Sequence, residues 1–282
     1  MNRFRKPLHM TLLALATMQP TPSSKLASAR RWVMAVALLA SLFVGLFAGT
    51  AAASVPGGDS WQEEVLLHDG RKITAERYVR RGGRAEIGQS GAYVEQRLSF
   101  TEPAGGKTFN WSDSYSPELG MANFLVLALH VVDSVPYVVA TPMGCHSYNK
   151  WGRPNPPYVI FQARGDGWQR ISLSELPAEA RTANLLHSAP DDWVREHGTR
   201  RVTAAQIQAE NATNQPPYRA ILREAVSSNA LSCRVEFTNG KGTWLSSDWF
   251  SSKKDLQSCV NFCRREDFSE TTCPCGQFFK GE

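Results

Sequence analysis

Glu63-Glu64-Val65-Leu66-Leu67-His68-Asp69-Gly70-Arg71-Lys72-Ile73-Thr74-Ala75-Glu76-Arg77-Tyr78-Val79-Arg80 is the stretch that decides the fold. Asp69-Gly70 is a two-residue hairpin signal, because both residue types tolerate the positive φ angles such a turn demands. Glu64 to Leu67 and Lys72 to Arg80 then read as the paired strands. The same grammar recurs downstream. Tyr93 to Phe100 and Thr108 to Trp111 flank Pro103-Ala104-Gly105-Gly106; Phe124 to Val132 and Tyr137 to Ala140 flank Asp133-Ser134-Val135-Pro136; Tyr158 to Ala163 meets Trp168 to Leu173 across Gly165-Asp166-Gly167. Four hairpins at this spacing predict a β-rich α+β protein, an antiparallel sandwich or open barrel covered by short helices. The run Phe124 to His130 is continuously apolar and fits a buried helix almost as well as a strand. Its length and Val131-Val132 favour the strand.

After Leu173 the texture becomes helical in short pieces. Ser174 to Leu176 precedes Pro177, and Ser188 to Gly198 has a polar start and a glycine stop. Thr203 and Gln206 have capping-box spacing, and Pro216-Pro217 opens an amphipathic stretch from Tyr218 to Val226. These pieces are expected to cover one end or face of the sheet, which explains their apolar positions without a ligand.

In the other direction the chain carries an export pattern: Arg30-Arg31, an apolar run from Trp32 to Phe47, then Ala48-Gly49-Thr50-Ala51-Ala52-Ala53. A basic start, an apolar core and alanines at −3 and −1 predict cleavage near Ser54. An uncleaved membrane anchor through residues 32–53 is the alternative, since about 20 apolar residues span a bilayer. Either way the bulk of the chain is expected outside the cytoplasm, periplasmic or secreted, or anchored to the inner membrane. Six of the 31 basic residues and none of the 26 acidic ones precede residue 54, leaving 25 against 26 beyond it. So near-neutral a chain supplies no counterion-releasing basic surface, and nucleic acid is excluded as a partner. The expected organisation is a leader over 1–53, a β-rich domain with trailing helices over 54–226, and a cysteine-rich module over 227–282.

That last module holds Cys259-x3-Cys263 followed by Cys273-Pro274-Cys275. Ser252 to Glu266 is expected to be a helix capped through Ser252 and Asp255, with the two thiols one turn apart. An extended Cys-Pro-Cys would point both of its thiols to one side. Six cysteines allow 15 connectivities. Zinc is disfavoured by the Cys-x-Cys spacing and by an oxidising compartment; a redox role for Cys-Pro-Cys is chemically available, but a second cysteine pair close by makes structural bonding the simpler account. The spacing resembles the cysteine-stabilised α/β motif of defensins and scorpion toxins. That resemblance implies Cys259–Cys273 and Cys263–Cys275, with strands Cys233 to Phe237 and Gly242 to Ser246 around Asn239-Gly240 beside them. It covers about 45 residues and transfers no activity. With the tail so bridged, Cys145–Cys233 is the remaining pair.

The segment that most resembles a site is the loop from Pro142 to Tyr158. Its Tyr148, Trp151 and Tyr158 are suited to stacking on a sugar or peptide, with Asn149, Lys150 and Arg153 orienting it. Packing of these aromatics onto the sheet is the competing reading. No Gly-x-Ser-x-Gly, His-Glu-x-x-His or phosphate-loop pattern occurs, so catalytic residues stay unassigned, and no cofactor or metal is expected. Trp61-x2-Glu64-Val65-Leu66-Leu67-His68-Asp69-Gly70 and the stretch from Pro142 to Phe161 resemble a group of uncharacterised exported bacterial proteins, which implies localisation alone. The functional expectation is a non-catalytic envelope protein that binds another protein, a peptide or a carbohydrate. A periplasmic hydrolase of envelope carbohydrate or peptide is the rival; a cleft lined by two carboxylates, or by a carboxylate and a histidine, would favour it, and a flat aromatic face around Trp151 would favour binding.

Overall fold

The computed structural model describes residues 57–83, 90–227 and 232–280, all within the compact unit Ser54–Glu282. The export segment read at residues 30–54 lies outside the described residues. Among those residues, no helix is long and apolar enough to cross a membrane.

All four hairpins form. The first sheet takes β1 (Asp59–Leu66), β2 (Lys72–Gly82), β3 (Ala92–Thr101), β4 (Thr108–Ser114) and the two-residue β9 (Arg201–Val202) in the order β4-β3-β2-β1-β9, with β9 parallel to β1. The second takes β5 (Phe124–Val132), β6 (Val135–Pro142), β7 (Val159–Arg164) and β8 (Gly167–Ile171) in sequential antiparallel order. The two sheets make a sandwich and no barrel closes. Val65, Ile73, Ala75, Leu98, Phe100 and Trp111 from one sheet pack against Phe124, Val126, Leu129, Val138 and Val159 from the other. Each large side chain buried this way contributes about 1.5–3 kcal/mol.

The two sheets differ in what covers them, and the sequence pattern follows from that. The first sheet alternates buried and open positions along β1, because its outer face meets water. The second is buried on both faces, so β5 has no polar side to show and reads as an unbroken apolar run. A bulge between Val126 and Ala128 lets consecutive residues Leu127 and Ala128 turn to the outer core while Val126 and Leu129 face the sandwich. That outer core, with Tyr137, Val139, Tyr158 and Ile160, is closed by Leu176, Ala180, Ala183 and Ile221.

The covering segments hold two departures from expectation. Leu173–Glu175 is a 3₁₀ turn, Pro190–Glu196 is helix α2, and Ala204–Asn211 is helix α3 with the expected box: Gln206 N donates to Thr203 Oγ1 at 3.3 Å, and Thr203 N to Gln206 Oε1 at 2.9 Å. The amphipathic stretch expected from Tyr218 to Val226 does not form a helix. Helix α4 is only Pro216–Arg219, because Ala220 turns extended, pairs with Thr182, and is followed by Ile221 N donating to Arg181 O. Cross-chain hydrogen bonds here outweigh helix propensity. The loop from Pro142 to Tyr158 likewise contains a helix, α1 (Gly144–Lys150).

The tail has its own core of Phe250, Phe262, Phe268 and the four cysteines. The expected hairpin is present as β10 (Glu236–Thr238) and β11 (Trp244–Ser246). The long helix is split: α5 is Asp248–Ser251, and α6 is Leu256–Arg265, capped by Asp255 alone through Ser258 N at 2.7 Å. Ser252 closes α5 instead of opening α6. Cys145 joins Cys233 with Cα atoms 5.3 Å apart. The tail pairing implied by the toxin motif is corrected: Cys259 joins Cys275 and Cys263 joins Cys273, with Cα separations of 5.8 and 5.7 Å. Cys-Pro-Cys is not a strand, since Cys275 opens helix α7 (Cys275–Phe278). The chain doubles back after α6, so the first cysteine it brings meets the end of that helix and the second meets its start.

Candidate functional site

The six residues singled out in the loop are engaged internally. Asn149 is the hub: its Nδ2 donates to Cys145 O and Arg234 O, both at 3.0 Å, and its Oδ1 accepts from Arg153 Nη1 at 2.8 Å and Glu236 N at 3.1 Å. Arg153 lies over the ring of Tyr148 and donates to Cys233 O at 2.9 Å. Tyr148, Asn149 and Arg153 therefore come together at the root of the tail. Lys150 points elsewhere, to Glu118 at 3.1 Å and Ser116 Oγ at 2.9 Å. Trp151 packs on Phe124 with ring centroids 4.7 Å apart, under Arg170, and donates to Asn123 Oδ1. The Tyr158 hydroxyl, buried on the opposite side of the second sheet, lies 2.9 Å from Pro217 O and accepts from Leu222 N at 3.1 Å.

Two buried polar clusters were not anticipated. Glu63 sits on the inward side of β1 between Trp61 and Val65, fully buried. Its carboxylate takes Arg77 Nη1 at 3.1 Å, Trp61 Nε1 at 2.7 Å and Leu186 N at 2.9 Å, so nearly all its acceptor capacity is filled. Burial pushes its pKa up, and Arg77 opposes that. Beside it, His187 Nε2 lies 2.8 Å from Thr141 Oγ1, and its ring stacks on Tyr218. Burial, assisted by Arg77, pushes His187 down to about 4. Thr141, Gly144, Tyr148, Tyr218 and Cys233 line a cavity of about 190 Å³ there. At the far end of the sheet Arg81 grips Asp191 with Nε at 2.6 Å and Nη2 at 2.8 Å, and the Tyr93 hydroxyl donates to the same carboxylate. Burial alone would raise Asp191, but these bonds from Arg81 and Tyr93 bring it below its ordinary value. This cluster ties the first turn of α2 to β2 and β3.

A groove of about 660 Å³ runs between the β1–β2 turn, the segment 179–184 and α3. Leu66, Leu67, Ala183 and Ile207 form an aliphatic floor, with His68, Glu179, Arg181, Gln208 and Arg219 also lining it. Leu66 is 41% exposed although it belongs to a strand. The amides in the wall are used by the scaffold: Asn184 Nδ2 donates to Leu66 O and Leu129 O, and Asn211 Nδ2 to Ala183 O and Leu185 O. Arg181 and Arg219 have no acidic partner within 4 Å among the described residues. A neighbouring depression of about 960 Å³ is built around Arg223, but that guanidinium donates to the carbonyls of Leu173, Leu176, Pro177 and Ala180 and serves as scaffold. The groove had no local sequence signal, because its wall comes from four separated segments.

No family model matches this chain, and neither a curated protein nor a solved structure matches it.

Proposed function

We propose that the chain is an exported binding protein of the cell envelope, and that it holds an extended peptide, without chemistry at that site, in the groove beside α3. Export rests on the signal pattern ending near Ser54 together with the three cysteine pairs, which suit an oxidising compartment. The observation that carries the binding reading is the aliphatic floor flanked by Arg181, whose Nε donates to Ala178 O at 2.7 Å, and Arg219, neither with an acidic partner within 4 Å among the described residues. Such a groove takes apolar side chains along its length and an acidic side chain or terminal carboxylate at the arginines. Peptide is preferred to carbohydrate because, among the described residues lining the groove, there is no Phe, Tyr or Trp ring for a sugar to stack on.

The test is fluorescence anisotropy on the full chain with a labelled aliphatic peptide ending in a free carboxylate. Replacing both arginines (R181A with R219A) is expected to weaken binding about 30-fold, at about 1 kcal/mol for each lost exposed ion pair. Equal affinity for the amidated peptide, or no loss in the double variant, overturns the reading.

The hydrolase reading has two observations in its favour: His68 and Glu179 both line the groove, although no hydrogen bond or ion pair joins them among the described residues, and the Thr141 hydroxyl lies 2.8 Å from His187 on a small cavity. A histidine held near 4 is a weak base at neutral pH, and no hydrogen bond orients its Nδ1 among the described residues. Binding is therefore the better-supported function.

A further inference from the structure

The four tail sulfurs form one packed group. Helix α6 sets Cys259 and Cys263 one turn apart, and the returning chain lays Cys273 and Cys275 against them. Across the two disulfides, sulfurs that are not bonded to each other are in contact: Cys273 and Cys275 at 3.3 Å, Cys263 and Cys275 at 3.5 Å. A cavity of about 230 Å³ opens onto this group, lined by the three cysteines 263, 273 and 275 and by Arg264 and Glu270. Cys259, Cys263 and Cys275 are buried to within 2% of full burial, whereas Cys273 is only partly so. An incoming thiolate therefore finds Cys273 first, and the opposite charges of Arg264 and Glu270 in the same wall leave the approach close to neutral.

We propose that the tail is a thiol–disulfide exchange site, in which an external thiol entering at Cys273 shifts the pairing of the second, buried disulfide. The thiolate attacks Cys273 Sγ, forming a mixed disulfide and breaking Cys263–Cys273, with the electron pair leaving on Cys263. The Cys263 thiolate, in contact with Cys275, attacks that sulfur, forming Cys263–Cys275 and breaking Cys259–Cys275, so the charge moves to Cys259 and is protonated there. A second thiol resolves the mixed disulfide and frees Cys273. In sum, two external thiols become one external disulfide, and two tail disulfides become one disulfide and two thiols. The direction follows from α6: Cys259 lies four residues into the helix, where the macrodipole favours negative charge, and Cys263 lies in its last turn, where it does not. The substrate class is a small thiol or a cysteine-bearing peptide that fits the cavity.

The relay and direct reduction free different cysteines. Full-length protein is treated with limiting 2-mercaptoethanol, quenched in acid, denatured and labelled with N-ethylmaleimide, and its peptides are mapped by mass. Label on Cys259 and Cys273, with a Cys263–Cys275 peptide, in several-fold excess over other two-thiol species is the expected result. Label on Cys263 and Cys273 with Cys259–Cys275 intact overturns the proposal, as does simultaneous labelling of all four. The C259S/C275S double variant removes the acceptor disulfide and is expected to lose the relay product, giving label on Cys263 and Cys273 alone. The wild-type map decides the matter by itself if that variant fails to fold.

Discussion

Replacing Cys145 and Cys233 together by serine frees the root of the tail and leaves the sandwich otherwise unaltered. The bond joins positions 88 residues apart. In the chain-entropy treatment a closure of that length removes about 4.6 kcal/mol of freedom from the unfolded state. Noncovalent links at the same place, from Asn149 and Arg153 to the carbonyls of Cys233 and Arg234, survive the substitution. They exist only in the native state and so leave the unfolded chain unrestrained, which means they do not offset the loss. For a domain of this size about 1 kcal/mol moves Tm by about 2–4 °C, so the double variant is expected to melt about 9–18 °C lower. Far-UV circular dichroism of the oxidised proteins, heated under identical conditions, measures it. A fall of less than about 3 °C would refute the reasoning and mean that the unfolded chain already holds these two segments near each other.

Two further outcomes follow from the buried polar groups. His130 and His187 are both pushed down to about 4 by burial from an ordinary 6.5, so the unfolded chain takes up their protons first as pH falls. Their contribution is complete above about pH 6.5 and is lost towards pH 4, by up to about 3 kcal/mol each; urea titrations at pH 7 and 4.5 read this, and H130F should remove about half of the difference. Asp191→Ala takes from Tyr93 its buried acceptor and from Arg81 its bidentate one, leaving Arg81 with Asp192 and Gly91 O, and is expected to cost about 3 kcal/mol, whereas Asp192→Ala, at a partly exposed pair, costs less than about 1 kcal/mol. Equal costs for the two aspartates, measured by urea unfolding, would contradict the assignment of Asp191 as the anchor of α2.

The hairpins were legible because turn chemistry is local: Asp69-Gly70 and Gly165-Asp166-Gly167 announce themselves within three residues. β5 was legible only in part, since a strand covered on both faces loses the alternation that marks a strand. Glu63 and Arg77 resemble surface charges in the sequence. A signal did exist, for Glu63 lies two residues from both Trp61 and Val65 and so shares their inward face. The tail pairing was misread because the direction of a returning chain is a tertiary fact, and cysteine spacing carries none of it. The Pro142 to Tyr158 segment was correctly read as crowded with polar and aromatic groups, but their partners at Arg234 and Glu236 are about 80 residues away in sequence. The groove escaped altogether: Leu66, Arg181, Ile207 and Arg219 meet only once the sheets are stacked.

The bond between Cys145 and Cys233 also bears on what a protease can do to this chain. Helices α2 to α4 and the strand β9 all lie inside the loop it closes. A single cut anywhere within that loop leaves both pieces covalently joined, so a nicked molecule keeps its mass on a non-reducing gel and comes apart only when reduced.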